Sequence, residues 1–369
     1  MKITVLQDYL RSGGTERHSI LLSREFGRLG HEARLVTFRP GGLLAGTVES
    51  EHVSLQPFDT GIDWFGPGLL RTVLGNSPDI VLCMGKTANC FAGRIQRRAS
   101  GGRLRTRVVA TLRAGGRLPW FYYSSVRGAA HLVTNSCEAA EELVSLHGLD
   151  RGRLSVIHNA LVFHESAGAR DDQLRARLGA GPSTAVLLSV GMFRPEKNQR
   201  ALIGMAAGLP AALDWRLWFV GDGPERSSCE RLAARSGLAG RVSFAGFQRD
   251  PGAYYRSADI AVHASREESL SNALIEAQFN GLPVVAFQAL GVRECVVEGR
   301  TGFVLAQDDH KGFAAAVARL ASETPAERAA RAAEARAFAL SSFDSRRQVG
   351  AHIGLFESLL RGAPPAIHL

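Results

Sequence analysis

The sequence alternates short apolar runs with longer segments in which apolar residues recur at helical spacing, and the alternation continues for most of its length. In the first half, the runs that predict strands are residues 3–6, 33–38, 79–84, 107–112, 131–135 and 154–158. Helical patterns lie between most of them, at 15–29, 87–98 and 137–146. Such alternation is typical of βαβ units in a mostly parallel sheet.

The pattern lapses at 162–183, where polar and glycine-rich segments surround one short helical piece at 173–178. It then resumes, with strands predicted at 184–190, 215–220, 242–245, 259–263, 283–286 and 302–305. A chain of 369 residues is long enough for two domains. We therefore expect two doubly wound α/β domains, at 1–165 and 166–345, and a C-terminal helix at 346–369 whose return to the N-terminal domain stays open.

Glycines and cations follow two of the predicted strands, and ligands of doubly wound sheets bind beyond the carboxyl ends of strands. Gly13 and Gly14 precede the first helix, where the backbone can approach a ligand and helix N–H groups can face an anion. A plain βα turn would use the same glycines. The loop GMFRPEKN at 191–198 begins with Gly191 and carries Arg194 and Lys197, which could clamp a diphosphate or be two solvated cations.

The most specific motif is EESLSNALIEA at 267–277, in which Glu268 and Glu276 are eight positions apart. Ser271 and Asn272 are suited to cap a helix, so Glu268 would precede the helix and Glu276 would lie on it. A carboxylate suits sugar hydroxyls because it can accept hydrogen bonds from two of them. The alternative is that Glu276 is an exposed helical residue.

The charge of the chain is unevenly distributed. The 44 Lys and Arg residues against 35 Asp and Glu give a net charge of +9, yet no acidic residue occurs between Asp79 and Glu138. Around the aromatic run WFYY at 120–123, this segment holds ten cations: Lys86, Arg94, Arg97, Arg98, Arg103, Arg105, Arg107, Arg113, Arg117 and Arg127. An anionic membrane surface or a phosphorylated acceptor would suit them, and a solvated surface with buried aromatics is the alternative. No recognition motif for nucleic acid accompanies the charge.

The cysteines are scattered, without the paired spacing of a zinc site or a disulfide framework: Cys83, Cys90, Cys137, Cys229 and Cys295. The N-terminus does not match a signal peptide, and no run approaches the roughly 18 apolar residues of a membrane span. These features predict a cytoplasmic protein, and peripheral attachment to the inner face of the plasma membrane stays open. We expect His18, His158 and His263 to be packed or capping residues.

Several motifs, in this order, resemble those of the family 4 retaining glycosyltransferases: GMFRPEKNQ, GDGP at 221–224, VSFAGF, the Glu268-x7-Glu276 pair and GLPVVAF…GVRECVVEGRTGFVL. The resemblance implies the GT-B fold, in which two Rossmann-like doubly wound domains face each other across a cleft. It also implies transfer of a sugar from a nucleotide-diphosphate sugar to a glycan, lipid-linked or phosphorylated acceptor, in bacterial polysaccharide or lipopolysaccharide biosynthesis. Neither a metal nor another cofactor is implied.

Carried over by position, the resemblance implies a catalytic set and a donor-binding set. Lys197 would neutralise the departing diphosphate, and Glu268 would hold the donor sugar near the reacting carbon. Glu276 would accept the ribose hydroxyls, and Phe247 would line the nucleobase. The remaining donor-binding residues would supply backbone groups and helix-capping chemistry: Gly13, Gly14, Gly191, Ser269, Leu270, Ser271 and Asn272.

The sequence departs from the family pattern at two positions. Met192 replaces the usual arginine, so the guanidinium would come from Arg194 or the diphosphate would rely on Lys197 alone. Arg113 stands where many relatives have histidine, and with Arg117 it is a candidate to bind a phosphate of donor or acceptor. The alternatives are a GT-B nucleotide-sugar epimerase and a non-catalytic basic protein that binds membranes or nucleic acid.

Overall fold

The structure, a computed structural model, describes residues 1–11, 13–48, 53–57, 67–102, 104–113, 119–161 and 169–363. Arg103 and Arg117, two of the cations noted in the sequence, lie outside these residues. The chain divides into two compact units. The N-terminal unit comprises Met1–Val162 and Phe343–Leu369, and the C-terminal unit comprises Phe163–Ser342.

The described strands pair in parallel with their neighbours, as the βαβ pattern predicts. In the N-terminal unit they are β1 (Lys2–Gln7), β2 (Glu32–Thr37), β3 (Val53–Pro57), β4 (Ile80–Met84), β5 (Arg107–Leu112), β6 (His131–Thr134) and β7 (Leu154–Val156). In the C-terminal unit they are β8 (Ala185–Val190), β9 (Trp215–Val220), β10 (Val242–Phe244), β11 (Ile260–His263), β12 (Val284–Phe287) and β13 (Gly302–Leu305).

The helices alternate with these strands. Those before the C-terminal unit are α1 (Gly14–Arg28), α2 (Pro67–Leu74), α3 (Lys86–Gly101), α4 (Trp120–Arg127) and α5 (Cys137–His147). They are followed by α6 (Asp172–Arg177), α7 (Gln199–Ala206), α8 (Arg226–Arg235), α9 (Gly252–Ser257), α10 (Asn272–Phe279), α11 (His310–Ala321), α12 (Pro325–Phe343) and α13 (Ser345–Arg361). Among the described residues, no helix is both long enough and apolar enough to cross a membrane.

Each sheet reverses its strand order beside the first strand of its unit. The N-terminal order is β3-β2-β1-β4-β5-β6-β7, and the C-terminal order is β10-β9-β8-β11-β12-β13. Such a reversal is the switch point of a doubly wound sheet, at whose carboxyl end ligands bind. The prediction of two Rossmann-like doubly wound α/β units is therefore confirmed.

The N-terminal sheet is covered on both faces, because alternate residues of a strand point to opposite sides. In β4, Val81 and Cys83 join the core beneath α2 to α5, whereas Ile80 and Leu82 join a second core with α1 and α13. In that second core the rings of Phe26 and Phe356 are 5.7 Å apart. The last helix is thus part of the N-terminal unit.

The structure contains elements that periodicity did not predict. Strand β3 is an edge strand whose residues are mostly half-buried or exposed, so it lacks an apolar run. Helices α2 and α4 have only eight residues each, and α4 exposes part of its aromatic run. Short elements give a weak periodic signal, since two turns hold few apolar positions.

Candidate functional site

Three charged or polar side chains meet at the carboxyl edge of the C-terminal sheet. Strands β8 and β11 are neighbours, so the loops that follow them lie side by side. The loop after β8 ends in a 3-10 turn, Pro195–Lys197, and β11 ends at His263. Glu268 lies on the next loop, before α10. The topology therefore brings Lys197, His263 and Glu268 together.

Both donors of this cluster bond to one oxygen of the carboxylate. Lys197 Nζ donates to Glu268 Oε1, and His263 Nε2 lies 3.0 Å from the same Oε1. Among the described residues no partner of Glu268 Oε2 is found. The side chains of Glu268 and His263 are each 9% exposed, and that of Lys197 is 27% exposed. The carboxylate is thus held at one oxygen, and its other oxygen can accept from a ligand hydroxyl.

The surroundings keep Glu268 ionised. Burial alone would raise the pKa of Glu268, but the charge of Lys197 and the hydrogen bond from His263 outweigh it and lower the pKa to about 2. A carboxylate in this state only accepts hydrogen bonds. The sequence predicted Lys197 and Glu268 as separate functional residues and His263 as a packed or capping residue. In the structure His263 is the last residue of β11 and also bonds to Glu268.

The loop that carries Glu268 is shaped by a close backbone approach. Gly291 has φ +71°, and a Cβ atom there would lie 1.9 Å from the carbonyl oxygen of Ser269. The side chains of Ser269, Leu270 and Ser271 are all buried. Ser271 occupies the N-cap position of α10, but its side chain accepts no capping hydrogen bond, so that part of the prediction is wrong. Asn272 is the first residue of the helix.

Glu276 is half-buried on α10 and anchored by a residue outside the sequence motifs. The hydroxyl of Tyr255 donates to Glu276 Oε2 at 3.0 Å. Tyr255 lies on α9 and is itself buried. No sequence signal links the two, because Tyr255 precedes Glu276 by 21 residues and lies on another helix.

Two glycines of GDGP shape the loop after β8. A Cβ atom on Gly221 would lie 2.0 Å from the carbonyl oxygen of Gly191, and one on Gly223 would lie 2.3 Å from that of Phe193. Arg194 is 44% exposed and its Nη1 is 3.8 Å from a carboxylate oxygen of Glu196, so it does not join the cluster around Glu268.

Phe247 lies in the turn after β10. It is 46% exposed and follows Gly246, whose φ is +71°. This exposed ring is available to a planar ligand, and its nucleobase contact stays a prediction.

In the N-terminal unit, Gly13 is the N-cap of α1 and Gly14 its first residue. Arg113, just after β5, donates to Asn159 Oδ1 at 2.8 Å and contacts His18 Nδ1. Burial lowers the pKa of Arg113 to about 9, so it remains charged at neutral pH. The guanidinium is turned toward protein groups, and its phosphate contact stays a prediction, as does that of Arg117 outside the described residues.

Helices α3 and α4 of the acid-free segment lie on one side of the N-terminal sheet, together with α2, which precedes that segment. Helices α2, α3 and α4 pack on the same core and contain no acidic residue. Trp120 is 80% and Phe121 50% exposed, whereas Tyr122 and Tyr123 are buried. The alternative of a buried aromatic run therefore holds only for its second half. We call the surface of these three helices the basic helical face; its exposed arginines are Arg71, Arg94, Arg97, Arg98 and Arg127.

A cavity of about 430 Å³ opens on the basic helical face between α2 and the end of α3. Leu70, Leu74 and Leu104 line it, and Arg71 and Arg98 supply its charge. Apolar lining beside two guanidinium groups suits an anionic amphiphile.

Two family models match the chain, one in each unit. The model described as Glycosyltransferase Family 4 matches residues 12–162, and the model described as Glycosyl transferases group 1 matches residues 184–323. Together they cover most of both doubly wound sheets.

Curated relatives and solved structures agree with these matches. The chain is 36% identical over 207 residues to D-inositol 3-phosphate glycosyltransferase 2 of Catenulispora acidiphila, which is 53% of this chain and 48% of that protein. It is 34% identical over 149 residues to the lipopolysaccharide core biosynthesis glycosyltransferase LpsE of Rhizobium meliloti, 40% of this chain and 43% of that protein. The chain thus spans about half the length of the curated relatives it matches.

The same fold is seen in a solved structure. The structure of Anabaena Alr3699/HepE in complex with UDP superposes with a TM-score of 0.83 at 22% identity, covering 97% of this chain and 100% of that chain. The predicted GT-B fold and family resemblance are therefore confirmed: the chain belongs to the family 4 glycosyltransferases and has the two-domain α/β GT-B fold.

Proposed function

We propose that the chain is a retaining glycosyltransferase that uses a nucleotide-diphosphate sugar as donor. The observation that carries the proposal is the buried, ionised Glu268, held at Oε1 by Lys197 and His263 and without a described partner at Oε2. The solved neighbours named in complex with UDP and UDP-glucose support a nucleotide-sugar donor.

In the proposed reaction, the bond between the anomeric carbon and the diphosphate oxygen breaks, and a bond from an acceptor oxygen to that carbon forms. Arg113 stands where many relatives have histidine, but it stays protonated and cannot act as a base. The acceptor proton is therefore assigned to the departing diphosphate. Lys197 offsets the negative charge that develops on the leaving group, and Glu268 Oε2 accepts from a donor-sugar hydroxyl. Glu276, fixed by Tyr255, accepts the ribose hydroxyls.

The acceptor is proposed to be a glycan, a lipid-linked molecule or a phosphorylated molecule, in bacterial polysaccharide or lipopolysaccharide biosynthesis. Relatives named for inositol 3-phosphate and for the lipopolysaccharide core support this class. The exposed Trp120 and Phe121 beside the basic helical face support work at the inner face of the plasma membrane, in the cytoplasm, where anionic lipid attracts cations by about 1 kcal/mol each.

The donor and the stereochemistry are tested together. The protein is incubated with UDP-, GDP-, ADP- and dTDP-sugars, with water as the acceptor. The configuration of the released sugar at the anomeric carbon is read by NMR before the sugar mutarotates. Release of nucleoside diphosphate with an unchanged anomeric configuration in the product is expected. Interconversion of two nucleotide sugars would instead identify an epimerase, and inversion would exclude the retaining reaction.

The membrane proposal is tested by vesicle co-sedimentation with phosphatidylcholine alone and with added phosphatidylglycerol. Arg71→Glu with Arg98→Glu is expected to weaken binding to the anionic vesicles by at least about tenfold. The control reverses the same number of charges on α8, Arg231→Glu with Arg235→Glu, and should bind as the wild type does. Equal binding by both double variants would contradict a role for the basic helical face.

A further inference from the structure

The loop that carries Glu268 has no regular secondary structure between β11 and α10, so backbone ladders do not set the direction of this side chain. His263, in contrast, is part of the sheet, since it is paired with Ala286 of β12. It is also 7% exposed as a residue, and is held within the carboxyl edge of the sheet. A hydrogen bond from His263 therefore ties the carboxylate of Glu268 to a residue of the sheet.

The proton in this hydrogen bond has one possible origin. Because the ionised carboxylate only accepts, the N–H must be on His263 Nε2, 3.0 Å from Glu268 Oε1. Both His263 and Lys197 donate to Oε1, so both contacts are made at one oxygen of the carboxylate. Oε2 is then directed away from both donors.

The two donors differ in what else they can do. Lys197 has a long flexible side chain, is three times as exposed as His263, and is the residue assigned to the leaving diphosphate. When its ammonium group turns to the diphosphate, its contact with Glu268 weakens. His263 has no such second task and remains as the fixed contact.

We propose that His263 is a positioning residue that holds Glu268 through Oε1, so that Oε2 is presented to a hydroxyl of the donor sugar. This inference rests on the proposed function, because it assumes that Glu268 binds the donor sugar. His263 does not contact the substrate itself. Its replacement should therefore affect the rate of transfer more than the binding of the nucleotide.

The test compares variants of His263 that remove or keep an N–H group at the position of Nε2. His263→Leu removes the donor, His263→Asn carries an amide too short to reach Glu268, and His263→Gln places an amide N–H near the original position. We expect the Leu and Asn variants to lower kcat for donor turnover by about 10- to 100-fold, with less change in KM. The Gln variant should recover most of that loss.

Two further readouts separate positioning from simple packing. The affinity for UDP, GDP, ADP or dTDP, whichever raises the wild-type melting temperature, should be unchanged in all three variants. Combining His263→Asn with Glu268→Gln should add little to the loss from Glu268→Gln alone, because His263 acts through that carboxylate. Should His263→Leu be unable to fold, His263→Asn and His263→Gln still give the comparison.

The outcomes distinguish this inference from the proposed function. Wild-type kcat in the Leu or Asn variant, or a loss that adds fully to that of Glu268→Gln, would overturn the positioning role while leaving the transferase proposal intact. Full activity in Glu268→Gln would overturn the proposed site itself.

Discussion

The carboxyl edges of the two sheets share a topology but arrange their charged residues in opposite ways. In the C-terminal unit, Glu268 is held by Lys197 and His263 at one oxygen and has no described partner at the other. In the N-terminal unit, Arg113 is turned toward Asn159 and His18. One edge holds a charged group ready for a ligand, and the other uses its charged group to join helix α1 to the loop after β7 in the same unit.

We therefore expect substitutions at the two edges to have different effects. Substitutions around Glu268 should alter donor chemistry, and those that leave Lys197 or Glu268 without its charged partner should also lower stability. Substitutions in the N-terminal network should alter stability and leave donor chemistry nearly unchanged.

Lys197→Ala should have the largest effect. It removes the cation that offsets charge on the leaving diphosphate, and loss of one such electrostatic contact lowers kcat by about 10²- to 10³-fold. The measurement is the rate of nucleoside diphosphate release at saturating donor. Lys311→Ala, an exposed lysine on α11 of the same unit, is the matched control and should retain the wild-type rate. A comparable loss of rate in both variants would contradict the role of Lys197 at the leaving diphosphate.

The N-terminal unit should lose stability in acid. Burial lowers the pKa of His352 from 6.5 to about 4, so the unfolded chain takes up a proton first as the pH falls. The stability that the neutral ring contributes is present above pH 6.5 and is lost toward pH 4, by up to about 3 kcal/mol. His352→Phe keeps an aromatic ring beside Phe26 and Phe356 and should reduce this pH dependence in denaturant titrations. Part of the dependence should remain, because burial also lowers the pKa of His18 and His131. An unchanged slope between pH 6.5 and 4 would contradict the assignment.

Tyr255→Phe should have a smaller and more selective effect. It removes the hydroxyl that fixes Glu276 Oε2, and loss of one hydrogen bond to a charged group should raise the KM for the donor by about 5- to 10-fold. The value of kcat should stay nearly the same, because Glu276 is assigned to the ribose and not to the reacting carbon. Tyr254→Phe on the same helix is the control. A fall in kcat without a change in KM would contradict the assignment of Glu276 to the ribose.

Chelation should have the smallest effect. The family resemblance implies that cations of the protein take the leaving-group role, and Lys197 lies beside Glu268 for that purpose. Dialysis against EDTA should therefore change the rate of donor turnover by no more than about twofold. This change is smaller than the effect expected from any of the substitutions above. Recovery of a lost rate by added Mg²⁺ or Mn²⁺ would show that a metal is required.

The sequence predicted the elements with the strongest periodic signal and the motifs with fixed spacing. Long runs such as β5 and β9 were predicted at their observed bounds, and the spacing of Glu268 and Glu276 placed one before a helix and the other on it. Both results depend on local sequence, where a strand or a helix start determines which residues are near each other.

Contacts between distant segments could not be predicted in this way. The bonds of Tyr255 to Glu276 and of Arg113 to His18 join residues on different elements, and only tertiary packing brings them together. His263 is an intermediate case, because a histidine at the end of β11 lies five residues before Glu268. That spacing was a usable signal, but a buried polar residue at a strand end is also common without function.

We expect ionised Glu268 of the C-terminal unit to contact the donor sugar during transfer. The most direct measurement compares nucleoside diphosphate release by the wild type, Glu268→Gln and Glu267→Gln, the last being an exposed carboxylate next in sequence. With nucleotide affinity unchanged in all three, Glu268→Gln should be at least about 100-fold slower and Glu267→Gln should match the wild type. A wild-type rate in Glu268→Gln would contradict the account.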